Sequence, residues 1–237
     1  MSKPPIVIIP TYNEADNVKD MIHAVMGLET PFDLLFVDDN SPDGTAQKII
    51  ELQAKYPGRV FLEQRQKKEG LGTAYIHGFR YCLQNKYDYI FEMDCDFSHN
   101  PKDLLRLYEA CIGGFDLAIG SRYCKGGGIR NWPYTRWLMS YFASLYVRFV
   151  LRIGIKDTTA GFKCYKASVL KNINLDNIPF KGYAFQICMK YAAFKKGFKI
   201  TEIPILFEDR KYGESKMSTK IFKEAFFGVW QMKQMKL

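Results

Sequence analysis

The sequence predicts an α/β fold built on a doubly wound, mainly parallel sheet. Three observations lead there. Short aliphatic runs alternate with amphipathic stretches of helical length through the first 120 residues. The runs are continuously apolar, as strands covered on both faces are, and do not alternate polar with apolar. Their ends carry Asp-rich polar segments, in the place where open α/β sheets collect ligands.

Taken in order, Ile6–Ile9 is the first strand, a β-branched run with no polar break. A helix follows from about Ala15, with Val18, Met21, Ile22 and Val25 at i, i+3, i+4, i+7. Leu34–Val37 repeats the strand pattern, and Pro42-Asp-Gly44 closes it with a turn. A second helix carries Ile49, Ile50 and Leu52. Val60–Leu62 is the third strand, Ala74–Leu83 the third helix and Tyr89–Met93 the fourth strand. Helix 101–112 and strand Phe115–Ile119 continue the alternation. Gly126-Gly-Gly128 after a basic segment predicts a flexible loop, in the position of a lid.

The composition bounds the class. A chain of 237 residues with 47% hydrophobic and 15% aromatic residues builds a core and is not disordered. No stretch reads as a secretory signal, and none reaches the roughly 18 uninterrupted apolar residues of a membrane span. Cys82, Cys95, Cys111, Cys124, Cys164 and Cys188 form no CxxC pair and no metal spacing, which predicts reduced thiols and a cytoplasmic setting. The net charge of +9 is split. Residues 1–120 carry 12 Lys and Arg against 18 Asp and Glu, net −6, and residues 121–237 carry 22 against 7, net +15. Either the basic half presents solvated faces or it meets an anionic partner, phosphate or lipid headgroup. The acidic first half and the lack of a recognisable binding motif argue against nucleic acid.

Three strand ends supply carboxylates. Pro10-Thr-Tyr-Asn-Glu14 follows the first strand, Asp38-Asp-Asn-Ser-Pro-Asp-Gly44 the second and Asp94-Cys-Asp96 the fourth. Asp94 and Asp96, two residues apart at a strand end, both reach one hard cation if the backbone turns there. Mg²⁺ or Mn²⁺ uses one or two protein carboxylates and completes its shell with substrate phosphate and water. Zinc is not expected, for want of a His or Cys cluster. Cys95 reads as a small hydrophobe pointing away, and His99 as a packing or capping residue. Gly70-Leu-Gly72 lacks the Lys-Ser/Thr of a Walker loop and does not complete GxGxxG.

These residues resemble a known family. Pro10–Glu14, Val37-Asp-Asp39, Ser41-Pro-Asp-Gly-Thr45, Gly70-Leu-Gly-Thr-Ala-Tyr75 and Asp94-x-Asp96-x-Ser98 are similar to family 2 glycosyltransferases of the GT-A fold. Gly120-Ser-Arg122-Tyr, Asp157–Phe162, Lys181-Gly-Tyr-x-Phe-Gln186 and Asp209-Arg-x-x-Gly-Glu-Ser-Lys216 narrow the resemblance to polyprenol (dolichol) phosphate mannose synthases. It implies an inverting, metal-dependent transfer of mannose from GDP-mannose to a polyprenyl phosphate, giving polyprenyl phosphomannose and GDP. It implies that Pro10, Tyr12, Glu14, Val37 and Asp39 hold guanine and ribose, and that Asp94, Cys95 and Asp96 line the diphosphate and the Mg²⁺ or Mn²⁺. Arg122, Arg210 and Lys216 close over phosphates from the other side. Catalysis then falls to Asp94, Asp96 and Arg122. The chain departs from the family's usual Ala at Cys95 and usual Glu at Cys188. On this reading residues 1–217 are a GT-A catalytic domain, 1–120 taking the nucleotide sugar and 121–217 the acceptor.

The acceptor chemistry adds two expectations. A phosphate monoester is already ionised at neutral pH, so no dedicated general base is required, only a cationic socket. Arg136 and Ser140 stand at i, i+4 on one helical face and, with Arg122, are expected to hold the acceptor phosphate. The surrounding residues 134–152 read either as a buried core helix or as an interfacial one. Residues 218–237 repeat the theme as an amphipathic C-terminal helix. The expected partners are GDP-mannose, membrane polyprenyl phosphate and an anionic lipid surface, with the protein peripheral on the cytoplasmic face. A UDP-glucose-type donor on the same lipid phosphate is the alternative, and a non-catalytic scaffold the remote one.

Overall fold

The computed structural model describes residues 3–209 and 219–235. Strands β1 (Ile6–Thr11), β2 (Asp33–Asp38), β3 (Val60–Gln64) and β4 (Tyr89–Glu92) alternate with helices α1 (Val18–Met26), α2 (Thr45–Gln53) and α3 (Leu71–Gln84). Helix α4 (Asp103–Ile112) leads to β5 (Leu117–Ser121). Beyond it come β6 (Gly128–Arg130), α5 (Tyr134–Leu151), β7 (Lys163–Lys166), α6 (Ala167–Asn172) and α7 (Tyr183–Lys195). The described chain ends with β8 (Ile200–Pro204), β9 (Leu206–Glu208) and α8 (Thr219–Gln234).

The seven-stranded sheet has the order β3-β2-β1-β4-β7-β5-β8. β1 pairs in parallel with β2 on one side and β4 on the other, so the chain reverses its winding between them and opens a crevice at their carboxyl ends. β7 is the exception to parallel pairing: it runs antiparallel between β4 and β5. Period-2 alternation sorts the strands' side chains to two cores. Ile6, Ile8, Leu35 and Val37 face α3, α5, α6, α7 and α8, whereas Val7, Ile9, Leu34 and Phe36 face α1, α2 and α4.

Three expectations need correcting. The fifth strand starts at Leu117, because Phe115 is exposed ahead of it. Gly126–Gly128 is not a loose loop. Gly128 pairs with Leu206 in the small β6–β9 sheet, and a Cβ on Gly127 would lie 2.5 Å from the Ser121 carbonyl oxygen. Helix α5 is neither wholly core nor wholly interfacial: Ser144, Val147, Val150 and Leu151 are buried while Phe142, Leu145 and Phe149 face out.

Helix α3 approaches the sheet at Gly78, where a Cβ would sit 2.7 Å from Ile8 Cγ2 and 3.0 Å from its Cδ1. Ile8 is β-branched and central, so it has little freedom to yield. Overpacking of this kind costs about 1–3 kcal/mol, against the roughly 1 kcal/mol that Ala gains over Gly in a helix. Gly78→Ala is therefore expected to lower the urea midpoint with an unchanged slope.

Candidate active site

The first two strand ends are one hydrogen-bonded unit. Asp38, fully buried, accepts from Thr11 Oγ1 at 2.9 Å, Ser41 N at 2.9 Å and Ser41 Oγ at 2.6 Å. Asn13, with φ of 60°, turns the chain so that its N–H meets Ser41 Oγ at 3.0 Å. Glu14 N then donates to Thr45 Oγ1 and Ala15 N to Asp43 Oδ2. Burial works to raise the Asp43 carboxyl, but hydrogen bonds from Thr45 and the backbone N–H of Ala15 hold it below the usual range.

This unit presents Pro10, Tyr12 and Glu14, all half-buried, beside Asp39. Glu14 Oε2 accepts from Asn17 Nδ2 at 2.8 Å. Asp39 meets Arg65 Nε at 2.6 Å, and burial raises its carboxyl despite that partner. Lys68 Nζ lies 4.1 Å from the centre of the Tyr12 ring. Arg65 and Lys68 were missed by sequence reasoning, although the basic run Arg65-Gln-Lys-Lys68 at a strand end was a signal. Val37 does not join the rim: its side chain is fully buried in the core and offers a ligand no surface.

At the fourth strand end the Cys95 side chain is buried in the apolar core, away from the crevice, so it is no metal ligand, and burial pushes its thiol well up. Asp94 is 40% exposed and accepts from the Tyr75 hydroxyl at 3.5 Å. Asp96 is buried, and its Oδ1 accepts from Ser98 N at 3.0 Å across a turn made by Phe97, φ 59°. Among the described residues no group of three His, Cys, Asp or Glu is arranged to hold a metal. Two carboxylate oxygen donors with no usable thiol nonetheless fit a hard cation that completes its shell from a diphosphate. His99 packs as expected, stacked on Phe162 at 5.0 Å, and burial lowers it to about 4, so its ring is neutral.

The basic side differs from expectation. Arg122 is buried against Asp157: Nε donates to Oδ2 and Nη2 to Oδ1, each at 2.7 Å, and Nη2 also reaches Thr159 Oγ1 at 2.8 Å. Two of its three guanidinium nitrogens thus bind protein, not phosphate. Its charge sits among the rings of Tyr123, Trp132 and Phe207, at 5.2, 5.5 and 5.5 Å. Arg136 lies 4.0 Å from the Trp132 ring centre and pairs with Asp209 at 3.0 Å. The two arginines therefore meet at one indole, which sequence reasoning overlooked. Ser140 is one turn along α5 from Arg136 and half-buried. A chain of contacts joins this side to the carboxylates: Phe207 packs edge-on to His99 at 5.3 Å, and His99 Nδ1 is 3.9 Å from Asp94 Oδ2. Arg210 and Lys216 lie outside the described residues.

Beneath the crevice is a buried polar network that sequence reasoning also missed. Lys163 Nζ is 3.0 Å from Glu92 Oε2, Gln186 Nε2 donates to the same oxygen at 2.8 Å, and the Tyr165 hydroxyl donates to Oε1 at 2.8 Å. Lys190 Nζ donates to the carbonyls of Thr158 and Ala160 at 2.9 and 2.7 Å, pinning the loop that carries Asp157. Burial lowers both lysines, Lys190 strongly. The same loop passes Asp94: a Cβ on Gly161 would be 3.9 Å from Asp94 Oδ2. Cys188 is buried on the same helix as Lys190, its thiol pushed up to about 12, so that position is packing and not a charged site.

Comparison with known proteins fits this geometry. The family model described as glycosyl transferase family 2 matches residues 6–173. The polyprenol monophosphomannose synthase of Mycolicibacterium smegmatis is 46% identical over 94% of this chain and 84% of its own length. The undecaprenyl-phosphate mannosyltransferase of Micrococcus luteus is 44% identical over 94% of this chain and 91% of its own. In fold alone, glucosyl-3-phosphoglycerate synthase of Mycobacterium tuberculosis, solved with Mn²⁺, UDP and glucosyl-3-phosphoglycerate, superposes with a TM-score of 0.70 at 16% identity. That match covers 99% of this chain and 81% of the other. The GT-A architecture, the strand-end carboxylates and this degree of identity agree: the chain is a glycosyltransferase that belongs to family 2, among its polyprenol-phosphate mannose synthases.

Proposed function

We propose that the chain transfers mannose from GDP-mannose to a membrane polyprenyl phosphate with inversion, releasing GDP. The observation that carries the reading is the contact chain from Asp94 through His99 and Phe207 to Arg122, Trp132 and Arg136, which sets an acidic donor side against a basic acceptor side. Pro10, Tyr12, Glu14 and Asp39 take the nucleoside, and residues 121–217 the acceptor. Asp94 and Asp96 would hold Mg²⁺ or Mn²⁺, and the ion would supply positive charge to stabilise the leaving diphosphate. Arg122 and Arg136, with Ser140, orient the acceptor phosphate, whose oxygen attacks without a general base. Because Asp157 and Asp209 already partner the two arginines, the socket holds the phosphate without neutralising it as a nucleophile.

Melting of the protein with GDP-mannose, GDP, UDP-glucose and UDP, each with and without Mn²⁺, tests the donor. A ligand at 100 times its dissociation constant stabilises the native state by about 2.7 kcal/mol. GDP-mannose is expected to give the largest shift, and to need the metal for it. A shift with UDP-glucose alone would favour the other donor, a reading kept open by the UDP bound to the solved protein of the same fold.

The acceptor is lipid-borne, and we place the cytoplasmic face of a membrane against the exposed face of α5 and α8. Among the described residues no helix is long and apolar enough to cross a bilayer. Phe149 and Phe227 are 83% and 69% exposed, with Phe142 and Trp230 beside them in the sequence of the two helices. Tyr146 locks α5 to α8, its ring stacked on Phe226 at 4.7 Å and its hydroxyl donating to the Phe226 carbonyl. Each aromatic that enters an apolar medium contributes about 1.5–3 kcal/mol. Phe149→Ser is therefore expected to weaken vesicle binding at least tenfold while leaving the GDP-dependent melting shift unchanged.

A further inference from the structure

Polar residues recur at every fourth position of α5: Arg136, Ser140, Ser144 and Arg148 share one face of a helix that is otherwise rich in apolar residues. The first two belong to the acceptor socket. The second two line a separate cavity of about 210 Å³ with Tyr123, Tyr141, Leu145 and Lys156. That is room for a phosphate group, since one water needs only about 10–15 Å³ of such space. Ser144 is 2% exposed, yet its hydroxyl meets no hydrogen-bond partner among the described residues, and neither does the buried Nε of Arg148. Native proteins seldom leave such groups unmet, and those that line a cavity are met by what the cavity holds.

The charge is one-sided. Neither Arg148 nor Lys156 forms an ion pair among the described residues, and no carboxylate lines the cavity. Glu202 stands behind Lys156 without lining the cavity: its oxygens accept the backbone N–H of Lys156 and Asp157 at 2.8 and 2.9 Å. Two cations and a free hydroxyl without a carboxylate suit a phosphate. Leu145 and Tyr141 at the rim are exposed, as are Phe142 and Phe149 on the same helix, so apolar chains attached to that phosphate find apolar surface outside.

We propose that this cavity is a second anion site, which takes the headgroup phosphate of an anionic membrane phospholipid and fixes α5 at headgroup depth. The proposal rests on the reading above that this face meets a bilayer. The occupant is not the reacting acceptor. Tyr123 walls the cavity off, its ring 5.2 Å from the Arg122 guanidinium and edge-on to Tyr141 at 5.6 Å, so a phosphate held here lies behind the socket and not in it.

Partition of the full chain onto phosphatidylcholine vesicles, with and without phosphatidylglycerol, tests the site. Each cation near an anionic surface is worth a factor of about five, so Arg148→Gln with Lys156→Gln is expected to lose about thirtyfold on phosphatidylglycerol vesicles and nothing on phosphatidylcholine alone. Ser144→Val keeps every charge and is expected to lose about tenfold by removing one hydrogen bond to a charged group. Lys195→Gln with Lys196→Gln, outside the cavity, is the charge-matched control and is expected to lose less. The proposal is overturned if Ser144→Val partitions like the unaltered chain, or if the control loses as much as the cavity pair. It is equally overturned if the cavity variants lose affinity only for vesicles doped with polyprenyl phosphate, since the cavity would then be the acceptor's. Partition requires no turnover, so an error in the mannosyl-transfer reading would show in the transfer assay of the unaltered chain and leave this result standing.

Discussion

Asp94→Asn is expected to cut mannosyl transfer to polyprenyl phosphate by about 10²–10³-fold while leaving the fold intact. The size follows from the charge that builds on a departing diphosphate: losing one preorganised electrostatic partner typically costs about 2.7–4 kcal/mol of transition-state stabilisation. The selectivity follows from position. Asp94 is 40% exposed and an amide has the same shape as its carboxylate, so the substitution should be tolerated. Asp96→Asn is expected to be as damaging to turnover and slightly worse for stability, because buried Asp96 also accepts from Ser98 N. The loss should fall in kcat more than in KM, and the metal-dependent part of the GDP-mannose melting shift should vanish in both variants. Chelation of divalent ions from the unaltered protein should reproduce the defect. Full turnover by Asp94→Asn would remove the carboxylate pair from the mechanism.

The residues that were legible in the sequence are those whose neighbours in space are also neighbours in pattern. Val18, Met21, Ile22 and Val25 are all buried, as their helical spacing requires, and Ile6–Ile9 lies at the centre of the sheet. The strand-end loops were found because parallel topology places them together whatever their partners are. What escaped were residues whose role depends on contacts between distant segments. Lys163–Lys166 is a four-residue strand with a lysine at each end, which no apolar pattern marks as central. It becomes central because Lys163 finds Glu92, itself an acid in the apolar run Tyr-Ile-Phe-Glu-Met. Charged residues inside apolar runs, Glu92, Lys163 and Lys190, were the available signal, since buried charge is retained only where it is partnered. Arg122 illustrates the converse. Its motif was recognisable, but nothing in the order of residues reveals that Asp157, 35 positions on, takes two of its nitrogens.

That pairing makes the second large prediction, in which stability and catalysis are separated. Arg122 and Asp157 are buried and bidentate, with the Arg122 backbone N–H donating to the same carboxylate at 2.9 Å. Asp157→Asn or Arg122→Met alone leaves one buried charge uncompensated and is expected to cost about 3–5 kcal/mol in urea unfolding. The pair also has a pH signature. Burial would raise the Asp157 carboxyl, but the charge and hydrogen bonds of Arg122 hold it below its ordinary value. A carboxyl with a depressed folded-state pKa contributes stability that is complete above its unfolded value, about 3.9, and is lost as pH falls through the folded one. The unaltered protein should therefore lose stability on acidification below about pH 4 more steeply than Asp157→Asn does. The double variant Arg122→Met with Asp157→Leu removes both charges and replaces them with apolar volume, so most of the lost stability should return. Activity should not. If Arg122 orients the acceptor phosphate, the restored fold still lacks that guanidinium, and transfer should remain down by about two orders of magnitude. A double variant that recovers turnover together with stability would make Arg122 a structural ion-pair partner only, and would leave Arg136 as the acceptor's cation.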